Sequence, residues 1–346
     1  MRYEFTIFGS GISAKVTSCL LAKNGFKVCL ISDKDPNKEV SNTNLVTFLS
    51  AGSVNYLSSM FTNIQLFSKY PEIQTINCHL NDFSLNKSQS VTFNHEEKKP
   101  LGKIIRNNDL EKFLEEEIKK LKNINTVFSN RPQIIENNKN GIKLKIEKDE
   151  EIKSDLFILS SANKNITKQI EIDFVKKDLE QQAFSINVEG DIKNENCAFQ
   201  KFTSDGPLAI LPYSHNEASV VWSIKNNSKL LLKSSTEFHQ VINKHLNEQI
   251  SSVKITSIEK HKLKFVYAKN LYYKNILLLG NIAHNIHPIA GQGLNLSIKD
   301  ISLFVKQMTK YISLGYRAND QIALEEFEIN RKLDNTVYSF GTLSLN

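Results

Sequence analysis

Apolar runs broken by glycine punctuate both ends of the chain. Tyr3 to Phe8 is a short apolar run, followed by Gly9-Ser-Gly11-Ile-Ser-Ala14 and an apolar-periodic stretch to about Asn24. Gly25 ends that stretch, and Lys27 to Ile31 is apolar again, so the pattern predicts strand, loop, helix and strand. Near the other end Ile276 to Leu279 reads as a buried strand; it breaks at Gly280, passes through Pro288 and returns to helical spacing after Gly291 and Gly293. Between these poles, Thr75 to Leu80, Ser90 to Phe93 and Glu180 to Lys225 alternate as strands of a separate sheet. Ile134-Ile135 and Ile142 to Ile146 flank an Asn140-Gly141 turn and predict a hairpin, and Asp155 to Ser160 predicts a buried strand. Helical spacing covers Asp109 to Leu121, Ser235 to Ile250, Ile298 to Leu314 and Asp320 to Ser339. The class expected is α/β.

Length and charge narrow the picture. The chain has 346 residues, 40% of them hydrophobic, enough for a large core in one or two domains. Its formal charge of +7 comes mostly from scattered lysines, read as solvated surface before an anionic membrane or acidic partner. No dense basic block or motif points to nucleic acid. Cys19, Cys29, Cys78 and Cys197 are far apart, suggesting neither a zinc site nor a disulfide framework. The first strand begins close to Met1 and no apolar run approaches a membrane span, so the expectation is a cytoplasmic protein, at most peripheral to the inner face of the membrane.

The glycines carry the candidate chemistry. Gly9 suits a tight turn, Gly11 lets backbone approach a pyrophosphate, and the small Ala14 permits close helix packing, together a dinucleotide-binding fingerprint in its strand-helix-strand context. The alternative is a doubly wound unit that binds nothing. Asp33, beside Ser32 at the end of the second strand, is the candidate for a ribose hydroxyl. Around Gly291 and Gly293, bare N–H groups and a helix N-terminus favour an electron-rich group, against the alternative of an ordinary strand-to-helix turn. His284 and His287 are three apart, but no carboxylate or third ligand accompanies them in sequence, and no metal is expected.

Gly280, Ala283, His284, Pro288, Gly291, Gln292, Gly293 and Asn295 together resemble the second flavin motif of the para-hydroxybenzoate hydroxylase superfamily, and more narrowly its ubiquinone-biosynthesis aromatic-ring hydroxylases. Phe202, Gly206, Pro207, Leu208, Ala209, Leu211 and Pro212 resemble that family's substrate-sheet signature, and Glu326 to Asn335 its late helix. The resemblance runs from Tyr3 to about Asn335. It implies a Rossmann-like FAD-binding domain of the para-hydroxybenzoate hydroxylase type with an interleaved β-sheet substrate domain. The parts are 1–72, 101–170 and 269–346 for FAD with the C-terminal helices, and 73–100 and 171–268 for the substrate sheet.

In function the resemblance implies an FAD-dependent monooxygenase in which reduced FAD and dioxygen form a flavin hydroperoxide that hydroxylates a hydrophobic prenylated phenol, NAD(P)H being the family's donor. Other ubiquinone-biosynthesis proteins are the implied partners. The resemblance places Pro288, Gly291, Gln292 and Gly293 at the reacting face of the flavin. It places Gly280, Asn281, Gly293, Leu294 and Asn295, with Gly9, Gly11, Ala14, Asp33 and Arg106, in cofactor binding. The chain departs from the family at Ser32, Leu45, Asn281 and the lost Asp-Gly motif, here Ser161, Ala162, Asn165 and Lys168. Those departures leave open an alternative: a hydroxylase-fold protein with lost or weakened flavin binding, acting as a non-catalytic lipid-binding or assembly subunit.

Overall fold

Continuous apolar strands need cover on both faces, and the chain supplies it. In the computed structural model, which describes residues 2–34, 44–61, 64–82, 87–147, 150–287 and 291–344, Arg2–Phe8 lies centrally in a parallel sheet. Its neighbours are Glu151–Leu159 and Val28–Ser32, with Ile276–Leu278 and Ile124–Phe128 beyond them. Phe5, Ile7, Val28, Ile31, Leu156 and Leu277 are fully or almost fully buried, as expected for strands covered on both sides. The predicted hairpin, Gln133–Asn138 with Gly141–Lys145, adds antiparallel strands to Glu151–Leu159. Gly141 has φ 120°, and a Cβ there would stand 2.3 Å from the Ser154 carbonyl oxygen. The four cysteines are separate thiols, and burial pushes Cys19 and Cys29 up to about 12.

The helices are α1 (Ile12–Lys23), α2 (Ala51–Met60), α3 (Asn107–Lys120), α4 (Lys164–Thr167), α5 (Ser235–Leu246), α6 (Gly293–Ser313) and α7 (Gln321–Ser344). Buried α1 packs against α3 and α6 over the parallel sheet.

The second sheet runs in the order His284–Asn285, Ile250–Ala268, Phe174–Ile192, Glu217–Lys225, Gly206–Pro212, Cys197–Thr203, Thr75–Asp82 and Lys87–Asn94. Its strands alternate cleanly in the middle. Phe184, Ile186, Leu208, Ile210, Val220 and Trp222 form a core with Phe238, Ile242 and Leu246 of α5, while the residues between them face the other way.

Several elements differ from the sequence reading, among them the strand Ile124–Phe128, which it lacked. The helix expected to reach Ile250 stops at Leu246, and Ile250 opens a 19-residue strand that the reading lacked. That strand carries Lys, Glu and His on its open face, and its long pairing with Phe174–Ile192 sets its extent. The last motif helix begins at Gly293 instead of Ile298, because Leu296 and Ile298 already bury against the core. The two-residue strand His284–Asn285, within the last segment assigned to the cofactor part, pairs with Val266 and Tyr267 of the second sheet.

Candidate active site

A cavity of about 1410 Å³ lies between the glycine loops and the second sheet. Gly11, Ile12 and Ser13 line it from α1, Asn107 and Glu111 from α3, and Gln292, Gly293 and Leu294 from α6. Gly291, Asn281, Leu45 and the run from Ser160 to Ala162 complete that wall. These three helices share a feature: none has a side-chain cap at its N-terminus. The short α4, whose Lys164 and Thr167 also line the cavity, is capped by Asn163, and α2, α5 and α7, which begin outside the lining, are capped by Ser50, Ser234 and Asp320. First-turn N–H groups of α1 and α6 are thus left for a ligand, and the positive helix ends favour an anionic one, while at α3 the Asn107 N–H already donates to the Leu45 carbonyl.

The glycines explain the geometry at residue scale. Gly9 has φ 138°, and a Cβ there would fall 2.7 Å from Ser161 Oγ. Gly280, φ 82°, stands where a Cβ would press on Ser13 and Ser160. At Gly11 a Cβ would meet no protein atom within 4 Å, so the missing side chain leaves room on the cavity side. Ala14 is buried 3.4 Å behind the Gly9 position. At the end of Val28–Ser32, Ser32 Oγ closes a local turn with Lys34, whereas Asp33 Oδ1 is buried without a hydrogen-bond partner among the described residues. Such an orphan calls for a donor, and a ribose hydroxyl is one.

Two candidate side chains point elsewhere. Arg106 does not line the cavity; its guanidinium pairs with Glu217 and lies 4.9 Å over the Tyr213 ring, because the second sheet offers it a carboxylate and an aromatic face. Neighbouring Asn107 lines the cavity in its place, accepting a hydrogen bond from Thr47 Oγ1 at 2.6 Å. Asn295 spends its amide on backbone, accepting from Ser50 N at 2.8 Å and donating to the Phe48 carbonyl at 2.7 Å, so it pins the loop to the strand Val46–Ser50. Pro288 lies outside the described residues.

The histidines part company. His287 lines the cavity, and its Nε2 lies 2.9 Å from Gln181 Oε1. A carbonyl oxygen only accepts, so that nitrogen carries the proton, and burial holds the imidazole down at about 4, neutral at ordinary pH. His284 turns inward to Asp300 at 2.5 Å, and Asp300 also takes the Arg331 guanidinium from α7. Sequence reading missed this carboxylate: Asp300 lies on α6, sixteen positions beyond His284. Lys15 on α1, also missed, is buried between Glu111 and Glu115 of α3 and offsets the carboxylate that faces the cavity.

On the sheet side the middle of the wall carries Ala183, Ser185, Ala209, Leu211 and Val221, the alternate partners of those packed on α5, with the polar Lys176, Gln200, His261 and Lys264 also lining it. The cavity thus has an N–H-rich floor shaped for a dinucleotide and a roof with room for a flat apolar ring.

Comparison with known proteins decides the family. The FAD binding domain profile matches residues 2–321. The chain belongs to that family. The open cradle at Gly11 and the uncapped N-terminus of α1 fit the pyrophosphate of FAD, whereas Asp33, the ribose candidate, does not line the cavity. The 3-demethoxyubiquinol 3-hydroxylase of Escherichia coli is 24% identical over 98% of this chain and 88% of its own length. The ubiquinone hydroxylase UbiL of Rhodospirillum rubrum is 22% identical over 96% of this chain and 78% of its own. Among solved structures, P. aeruginosa PqsL in complex with 2-aminobenzoylacetate superposes with a TM-score of 0.81 at 13% identity, covering 99% of this chain and 95% of that one; the likeness is one of fold.

Proposed function

We propose that this protein is an FAD-dependent monooxygenase that hydroxylates the aromatic ring of a prenylated phenol in ubiquinone biosynthesis, with NAD(P)H as the electron donor. The observation that carries the reading is a cavity walled by the uncapped N-termini of α1 and α6 on one side and by small and apolar sheet residues on the other. Two relatives described above are named as a 3-demethoxyubiquinol 3-hydroxylase and a ubiquinone hydroxylase, which supports the reading.

Bound FAD, once reduced, supplies two electrons to dioxygen, so that one oxygen atom enters the ring and the other leaves as water. The chain's own residues bind, orient and exclude. Gly11 to Ser13 would hold the pyrophosphate through backbone N–H groups, and the first turn of α6, from Gly293, would offer its positive end to an electron-rich part of the cofactor. Ala183, Ala209 and Val221 hold the substrate ring against it and keep water out. His287, neutral and tied to Gln181, adds a polar edge to the cavity without a fixed charge.

The test is the visible spectrum of the purified protein after incubation with FAD and gel filtration, followed by NAD(P)H oxidation and product mass with a prenylated phenol. One FAD per chain and a product heavier by one oxygen atom are expected. A protein that stays colourless would overturn the reading.

A further inference from the structure

The cavity has two chemically different ends. At one, Lys176, His261 and Lys264 stand among Phe174, Leu263 and Val266 and give the rim cationic heads. At the other it runs under the edge of the second sheet, where Ile76, Cys78 and Phe93 line it. The register shows how that end is built. Ala198 stands opposite Ile76, and Ile76 opposite Phe93. Because side chains opposite one another on neighbouring strands share a face, these residues form one apolar row, with Leu211 of the next strand beside it on the cavity wall. Two strand spacings of about 4.8 Å carry the row from Ala198 to the edge. There Phe93 is 54% and Val91 44% exposed, and Val91, opposite Cys78, flanks the same exit. Large apolar side chains placed together at the mouth of a cavity mark a surface that something apolar covers.

We propose that the strip Leu211, Ala198, Ile76 and Phe93 is the binding track for the isoprenoid tail of the substrate, which leaves the cavity over the edge strand Lys87–Asn94. The inference rests on the reading of the substrate as a prenylated phenol and adds the path and the exit. A flexible chain of isoprene units gains from each unit laid along such a row and loses by lying at the lysine rim, where it would desolvate Lys176 and Lys264. Ala198 keeps the inner part of the track open, since a larger side chain would fill it.

The experiment uses the FAD-loaded protein and phenols carrying no, one or two isoprene units, with binding followed by calorimetry. Affinity should rise with tail length, by about tenfold per unit that enters the track. Phe93→Ser, at an exposed position where folding is not at risk, should cut the affinity ratio between two-unit and tail-free phenols about fivefold. Ile76→Phe, which fills the track where the first variant empties it, should cut the same ratio. Affinity independent of tail length, or equal loss for all three phenols in both variants, would overturn the track. Turnover, measured in parallel, keeps the two readings apart. Length-dependent binding without hydroxylation retires the monooxygenase and keeps the track, whereas hydroxylation of all three phenols at equal KM does the reverse.

Discussion

At Gly11 the backbone is extended, φ −80° and ψ 174°, and a Cβ would point into open space. Any residue fits that conformation, so Gly11→Ala should leave the stability of the FAD-free protein within about 0.5 kcal/mol of the wild type. The added methyl nevertheless occupies the approach to the pyrophosphate, and FAD affinity should drop at least about tenfold in a fluorescence titration. Equal loss of stability and affinity would show that Gly11 serves the fold alone. Asp33→Ala removes the orphaned acceptor and should also weaken FAD by about tenfold, the worth of one charge-assisted hydrogen bond. His287 adds a pH dependence. Its imidazole is held near 4 in the folded chain, against 6.5 ordinarily, so between those values the unfolded chain takes up a proton that the folded chain does not. Stability therefore rises with pH through that window and falls as the solution is acidified, by at most about 3 kcal/mol. His245, lowered by burial and by Lys201, acts in the same direction. Thermal unfolding from pH 6.5 to 4 should be less steep for His287→Gln, and an unchanged slope would exclude His287 as its source.

Between elements, the tie that matters most is His284–Asp300–Arg331, which joins the flavin loop, α6 and α7 in a buried polar chain extended by Arg331 to Asn335 at 3.0 Å. Arg331→Met leaves the buried Asp300 carboxylate without its cation and should cost about 3–5 kcal/mol in denaturant unfolding. Adding Asp300→Asn to that variant should restore part of the loss, since the stranded charge is gone; strict additivity would show that the two residues do not act as a pair. This tie also shows where sequence reading ends. The glycine loops were legible because a backbone requirement is written in consecutive residues: Gly9 and Gly11, then Gly291 and Gly293. Asp300 sits within an ordinary amphipathic helix, and only folding brings it to His284. Arg106 failed in the opposite way. Its place before α3 was legible, but Glu217, 111 positions away, decides where its charge goes. The long strand Ile250–Ala268 was illegible for a related reason, because its pairing with Phe174–Ile192, more than its own pattern, extends it.

For the whole molecule, the cofactor cavity lies between two sheets whose strands interleave along the chain: Thr75–Asp82 leaves the first body for the second, Ile124–Phe128 returns, Phe174–Ile192 leaves again and Ile276–Leu278 belongs once more to the first. A ligand that touches both should therefore stabilise the assembly as one unit. FAD at a hundred times its Kd should raise unfolding stability by about 2.7 kcal/mol, read as a higher Tm with a single transition. A rise confined to one of two transitions would mean that the parts unfold separately. The second sheet, meanwhile, gives odd and even positions of one strand to different owners: Leu208 and Ile210 belong to the helix behind it, Ala209 and Leu211 to the cavity. Selection can thus enlarge or narrow the substrate space by changing alternate codons while the intervening ones keep the protein folded. Such a strand is a ready-made substrate for divergence, able to drift in what it accepts without first losing the fold that presents it.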